Sequence, residues 1–201
     1  HDAIKIASDH ARDFAVLYVV NLLTQPQWGW GEAAAKEASG YLLALMAFTA
    51  LVTYVPIAKL VDRSPSPRPF IGTTFLLFSL FPITLVLLPK FCAHAGLPVM
   101  AGLIVAYTIN GLRELGEPAR KALIATGFPP EVRARAIGLY WGLRSFAFCP
   151  APIVAAILWK EIGPDYTFLI GGGIGLLGTL WYAVSSRATA PKCPPSVAPG
   201  A

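Results

Sequence analysis

Charge is what this sequence lacks most. Only 13% of its 201 residues are charged and 55% are hydrophobic, whereas soluble domains carry about 25% charged residues. With a mean hydropathy of +0.59, that shortfall excludes an ordinary water-soluble domain. Cysteine and histidine are scarce too. Cys92, Cys149 and Cys193 are odd in number and widely spaced, and His1, His10 and His94 sit in no cluster of Cys, Asp or Glu. Neither a disulfide framework nor a metal site is expected. There is no nucleophile elbow, phosphate loop or HExxH motif. A membrane-embedded enzyme would need His, Asp or Ser gathered at one depth, and no such grouping occurs. The expectation is therefore no enzymatic activity, no cofactor and no metal. The opening HDAIKIASDHARD lacks the basic start, apolar core and small-residue cleavage site of a signal peptide. A start without Met reads as a processed or truncated piece.

Long apolar runs are what the chain has instead. A helix that crosses a bilayer takes roughly 17 to 25 residues, and six stretches qualify: 14–31, 39–58, 69–88, 97–117, 136–159 and 167–185. The expected fold is all-α, a polytopic membrane protein with a six-transmembrane-helix bundle over 14–185. Residues 1–13 read as a cytoplasmic linker segment, and the Pro- and Ala-rich 186–201 as a disordered cytoplasmic tail. The first span is the least apolar. It contains Asn21, Gln25 and Gln27, its strongly apolar part stops near Leu23, and Trp28 and Trp30 suit a membrane interface.

Lys and Arg set topology, and they divide unevenly between the two faces that six spans create. One face takes Lys5, Arg12, Lys59, Arg63, Arg68, Arg120, Lys121, Arg133, Arg135, Arg187 and Lys192; the other takes Lys36, Lys90 and Lys160. Eleven against three makes both termini cytoplasmic. The net charge of +5 then follows from the positive-inside rule and requires no nucleic-acid partner. The bilayer is the expected environment.

Arg113 and Arg144 remain, and both fall inside predicted spans. Around the first, NGLRELGEPARKALI (110–124) brings five charges directly after an apolar run. Tyr107, Asn110, Glu114, Glu117 and Lys121 recur at spacings of three and four, so they share one helix face. A lipid-facing charge at mid-bilayer costs at least about 2.5 to 3.5 kcal/mol, so this stripe predicts either a lined pathway or a packed polar interface. Arg120 and Lys121 mark the cytoplasmic boundary, and Glu117 lies either there or deeper. Arg144 stands about eight residues inside its span, roughly 12 Å at a rise of 1.5 Å per residue. Glu114 or Glu117 from the preceding helix is its expected partner.

Two further patterns bear on packing. GGGIGLLG (171–178) contains GxGxxG, but no strand precedes it, so close helix packing outweighs a dinucleotide site. Gly138 and Gly142 repeat the small-residue spacing, and Pro150 and Pro152 should bend the same span.

Two loops carry a family resemblance. In AKLVDRSPSPR, Asp62 and Arg63 match the GxxxDRxGRR-like loop that follows the second helix of each half in the major facilitator superfamily; Ala58 and Pro65 replace its glycines, and Arg68 alone remains of its closing basic pair. PPEVRARAIG (129–138) resembles the family's loop between fourth and fifth helices through Pro130, Arg133, Arg135, Ala136 and Gly138, with Ala134 in place of Gly. The resemblance is to the C-terminal six-helix half. It implies secondary active transport of a small solute by an ion-coupled permease or efflux protein in the cytoplasmic membrane, driven by rocking of two bundles. The other half is then either missing from this sequence or a second chain. In that reading Arg113, Glu114, Glu117, Arg144, Asn110 and Tyr107 belong to a solute or proton pathway, and Asp62, Arg63, Arg133 and Arg135 to a cytoplasmic gate. The rival reading is a non-transporting assembly protein made of a half-bundle.

Overall fold

A computed structural model describes residues 14–64, 68–116 and 129–188, with no strand among them. The chain runs through α1 (Phe14–Leu23), α2 (Glu32–Arg63), α3 (Arg68–His94), α4 (Val99–Leu112), a 3-10 turn (Arg113–Gly116), α5 (Pro130–Phe148), α6 (Ala151–Ile162) and α7 (Pro164–Ala188). Three helices are long and apolar enough to cross a membrane, over Glu32–Val61, Pro69–His94 and Pro164–Ser185; α1 and α4 are shorter apolar helices. The linker 1–13, the tail from 189 onward, and Glu117, Arg120 and Lys121 lie outside the described residues.

Two spans read from the sequence are shorter or divided. The stretch 14–31 is helical only to Leu23, after which the chain turns, and Gly29 takes φ +67°, a conformation glycine adopts without steric cost. Trp28 therefore sits on a turn. The stretch 136–159 is interrupted at Cys149 and Pro150, where a bend was expected. Pro150 and Pro152 have no N–H to offer the carbonyls of Phe146 and Phe148. Phe146 O instead accepts from Cys149 N at 3.2 Å, and α6 restarts with Val154 N on Pro150 O at 3.1 Å.

α3 occupies the middle of the packing. α7 lies on one side of it, α4 and the 3-10 turn on another, while α2 packs on α4, α6 on α7 and α5 on α6. The largest core cluster joins α1 through Tyr18 and Val19, α2 through Leu42, α3 through Phe81 and Leu85, α4 through Leu103 and α7 through Phe168. Antiparallel neighbours bring the 24–31 turn, the end of α3 and the start of α7 together at one end. At the other end Val61 of α2 meets Ile71 and Phe75 of α3, with Tyr182 of α7 against them.

The surface is that of a protein solvated by hydrocarbon. Phe48 and Leu51 of α2, Leu139 and Phe146 of α5, and Leu177 and Trp181 of α7 are all exposed. Several hydroxyls along the helices are satisfied without water: Thr49, Thr53, Thr84 and Thr108 each donate to the carbonyl four residues back.

Close approach between α3 and α7 rests on glycine, as the GGGIGLLG run predicts. A Cβ on Gly175 would stand 2.6 Å from Ser79 Oγ, and one on Gly172 would strike the Ile83 side chain. At this contact Ser79 Oγ lies 3.3 Å from Thr179 Oγ1. Gly173 faces open space, and so do Gly138 and Gly142, whose small-residue spacing meets no neighbour among the described residues. Gly175→Val is accordingly expected to destabilise the protein by about 1 to 3 kcal/mol through overpacking, with Gly173→Val within about 0.5 kcal/mol of the parent. Thermal unfolding in detergent measures both, and equal stability of the two variants would contradict this packing.

A buried polar row as candidate functional site

Pro118 has no N–H to offer the carbonyl of Glu114, and the fourth helix tightens into the 3-10 turn just before it. Arg113 opens this turn, three residues after Asn110 and six after Tyr107. Glycine lets this segment lie close to both neighbours. A Cβ on Gly111 would come within 2.7 Å of Met46 O on α2, and one on Gly116 within 2.9 Å of Phe70 O on α3.

Tyr107, Asn110 and Arg113 are 0%, 1% and 2% exposed. Two α3 phenylalanines three residues apart line the row. The Tyr107 ring meets Phe81 edge to face, with centroids 5.8 Å apart, and the Arg113 guanidinium carbon lies 4.7 Å from the Phe78 ring centroid. Such a desolvated cation–π contact is worth about 2 kcal/mol. Asn110 Nδ2 donates to Met46 Sδ at 3.0 Å, a weak acceptor. Tyr107 Oη, Asn110 Oδ1 and Thr74 Oγ1 are shielded from solvent and have no hydrogen-bond partner among the described residues.

Of the residues singled out in the sequence, the structure thus brings Tyr107, Asn110 and Arg113 together. Glu114 contributes its backbone to the 3-10 turn, and Arg144 lies on α5, which packs on α6. The side chains of Glu114, Arg144, Asp62 and Arg133 lie outside the described residues, as does the expected pairing of Arg144 with Glu114 or Glu117. Arg63, in the last turn of α2, and Arg135, in α5, are exposed.

A second polar group, at the opposite end, has no counterpart in the sequence reading. Tyr18 Oη donates to Asp165 Oδ1 at 2.8 Å, and Lys90 pairs with Asp165 Oδ2, joining α1, α3 and α7. Phe168 packs edge to face on Tyr18 with centroids 5.1 Å apart. The one available signal was Asp165 itself, an acidic residue in the first turn of a helix, where the dipole favours negative charge.

Residues 12–199 match the family model described as Major Facilitator Superfamily. No curated protein and no solved structure matches the chain significantly.

The unmet polar atoms of the row make a stability prediction. Removing a buried polar atom that lacks a partner costs little or is favourable. Tyr107→Phe, which keeps the ring on Phe81, and Asn110→Leu, of similar shape, should both melt at or above the parent temperature. A loss of more than about 1 kcal/mol would mean that these atoms are hydrogen-bonded in the native protein.

Proposed function

The chain belongs to the major facilitator superfamily, whose members are transporters, and we propose on that premise that it is the C-terminal six-helix half of a secondary active transporter. In this reading a small solute crosses the cytoplasmic membrane with proton coupling, and both termini are cytoplasmic. The six passes are α1, α2, α3, α4 with its 3-10 turn, the broken α5–α6 pair, and α7. The missing bundle, upstream or on a second chain, covers part of the exposed apolar surface.

The observation that carries this reading is the buried row on α4. Keeping Arg113 away from water among apolar helices is costly, and intramembrane charges of this kind mark solute and ion pathways. Glu114 and Glu117 serve as proton carriers. Arg113 and Arg144 tune their affinity for protons or meet an anionic solute, while Tyr107 and Asn110 continue the polar path toward the membrane centre. At the cytoplasmic side Asp62, Arg63, Arg133 and Arg135 latch the two bundles through ion pairs and helix-end dipoles. The same apolar surface also supports the assembly-protein reading, which differs in one observable, the absence of gradient-driven flux.

Two measurements test the proposal. In proteoliposomes that also contain the complementary bundle, under an imposed pH gradient, Glu114→Gln or Glu117→Gln should abolish proton-dependent uptake in a protein that still folds; unaltered proton dependence in both variants would remove the carboxylates from coupling. Separately, Arg144→Ala should cost roughly 3 to 5 kcal/mol by leaving a buried carboxylate unpaired. Parental stability of that variant in detergent would refute the Arg144 pair.

A further inference from the structure

Between α2 and α4 runs an open groove of about 440 Å³, with Trp30, Ala34, Glu37 and Leu45 along one side and Met100 and Ile104 of α4 on the other. From Ala34 to Leu45 it covers about 16 Å at a rise of 1.5 Å per residue, close to half of the ~30 Å hydrocarbon core. We propose that this groove holds one phospholipid with a primary ammonium headgroup, its ammonium on Glu37 and an acyl chain along α2. The site is separate from the α4 row and rests only on the membrane setting of the chain.

Charge selects the occupant. Among the described residues that line the groove, Glu37 alone is charged, and the others are apolar or aromatic. The neighbouring cation is already engaged, with Lys36 Nζ 2.6 Å from Glu32 Oε1 one turn back on the same helix. Glu37 itself pairs with no cation among the described residues. Its Oε1 accepts from Tyr41 Oη at 2.9 Å, which leaves the second carboxylate oxygen to be met. A carboxylate at the edge of hydrocarbon is costly without a counter-charge. An ammonium brings three N–H donors together with the charge. A choline headgroup has no N–H, and a phosphoglycerol headgroup would set an unbalanced negative charge beside Glu37.

The remaining walls fit a lipid rather than a solute from water. Trp30 stands at the headgroup end, where an indole suits the membrane interface. Leu42, Leu45 and Ile104 line the deeper part, and farther along α2 the Phe48 and Leu51 side chains are exposed. Ala34, Glu37 and Tyr41 are exposed as well, so the carboxylate is reached from the surface of the bundle.

The test is native mass spectrometry of the protein released from nanodiscs of equimolar phosphatidylethanolamine, phosphatidylcholine and phosphatidylglycerol, reading the lipid that stays bound. Phosphatidylethanolamine should be retained about threefold to fivefold over either competitor, the size of one exposed ion pair. Glu37→Gln, which removes the charge, and Ala34→Trp, which fills the groove, should each bring it down to the level of phosphatidylcholine. Both positions are exposed, and melting temperatures equal to the parent's in lipid-free detergent check the fold. Equal retention of the three lipids by the parent protein, or unaltered selectivity in both variants, would overturn the proposal. So would a lipid-free dimer that Ala34→Trp dissociates, which would give the groove to a second copy, or loss of the lipid when the complementary bundle is added. No gradient or solute enters the measurement, so its failure leaves the transport reading untouched.

Discussion

Glycine sets how closely α4 and α7 approach α3. Lipid tails are as apolar as leucine, so no hydrophobic force draws helices together inside a bilayer, and contact must come from close packing and hydrogen bonds. Gly172 and Gly175 bring α7 onto Ser79 and Ile83, while Gly102 brings α4 against the backbone at Leu88 and Pro89. Once the backbones are this near, Ser79 and Thr179 come within hydrogen-bonding reach, and Phe78 and Phe81 lie beside α4. Larger side chains at those glycines would widen the gaps on both sides of α3.

The buried row depends on that proximity. Arg113 gains from Phe78 only because the 3-10 turn lies against α3, and Tyr107 meets Phe81 one turn deeper. An aromatic face stabilises a cation electrostatically at a depth where water does not reach it. Tyr107 Oη and Asn110 Oδ1 have no hydrogen-bond partner among the described residues, which costs stability.

The opposite end is built differently. There the polar groups satisfy one another, with Asp165 accepting from Tyr18 and pairing with Lys90 across three helices. Both charged side chains are substantially exposed, at 50% and 37%, so solvent screens the pair and its contribution to stability is small. Its effect is geometric: α1, α3 and α7 are held around a cavity that Asn21, Gln25, Gln27 and His94 also line. One end of the molecule thus keeps Arg113 against the Phe78 ring, and the other keeps a cavity lined by amides, His94 and the Lys90–Asp165 pair.

Local features of this protein were legible in the sequence because their causes are local. Apolar run length announced a membrane-spanning helical chain, Pro150 and Pro152 announced the interruption between α5 and α6, and the 171–178 glycines announced a close helix contact. Each follows from the chemistry of residues a few positions apart. The periodicity of Tyr107 and Asn110 likewise showed a shared face, yet left open whether that face lined a pathway or met another helix. Tertiary structure placed it against Phe78 and Phe81, and it joined Tyr18 to Asp165 across 147 positions and Lys90 to Asp165 across 75. No spacing rule reaches so far. Such pairs depend on the rotation and order of whole helices, which are decided by how backbones pack rather than by any one segment.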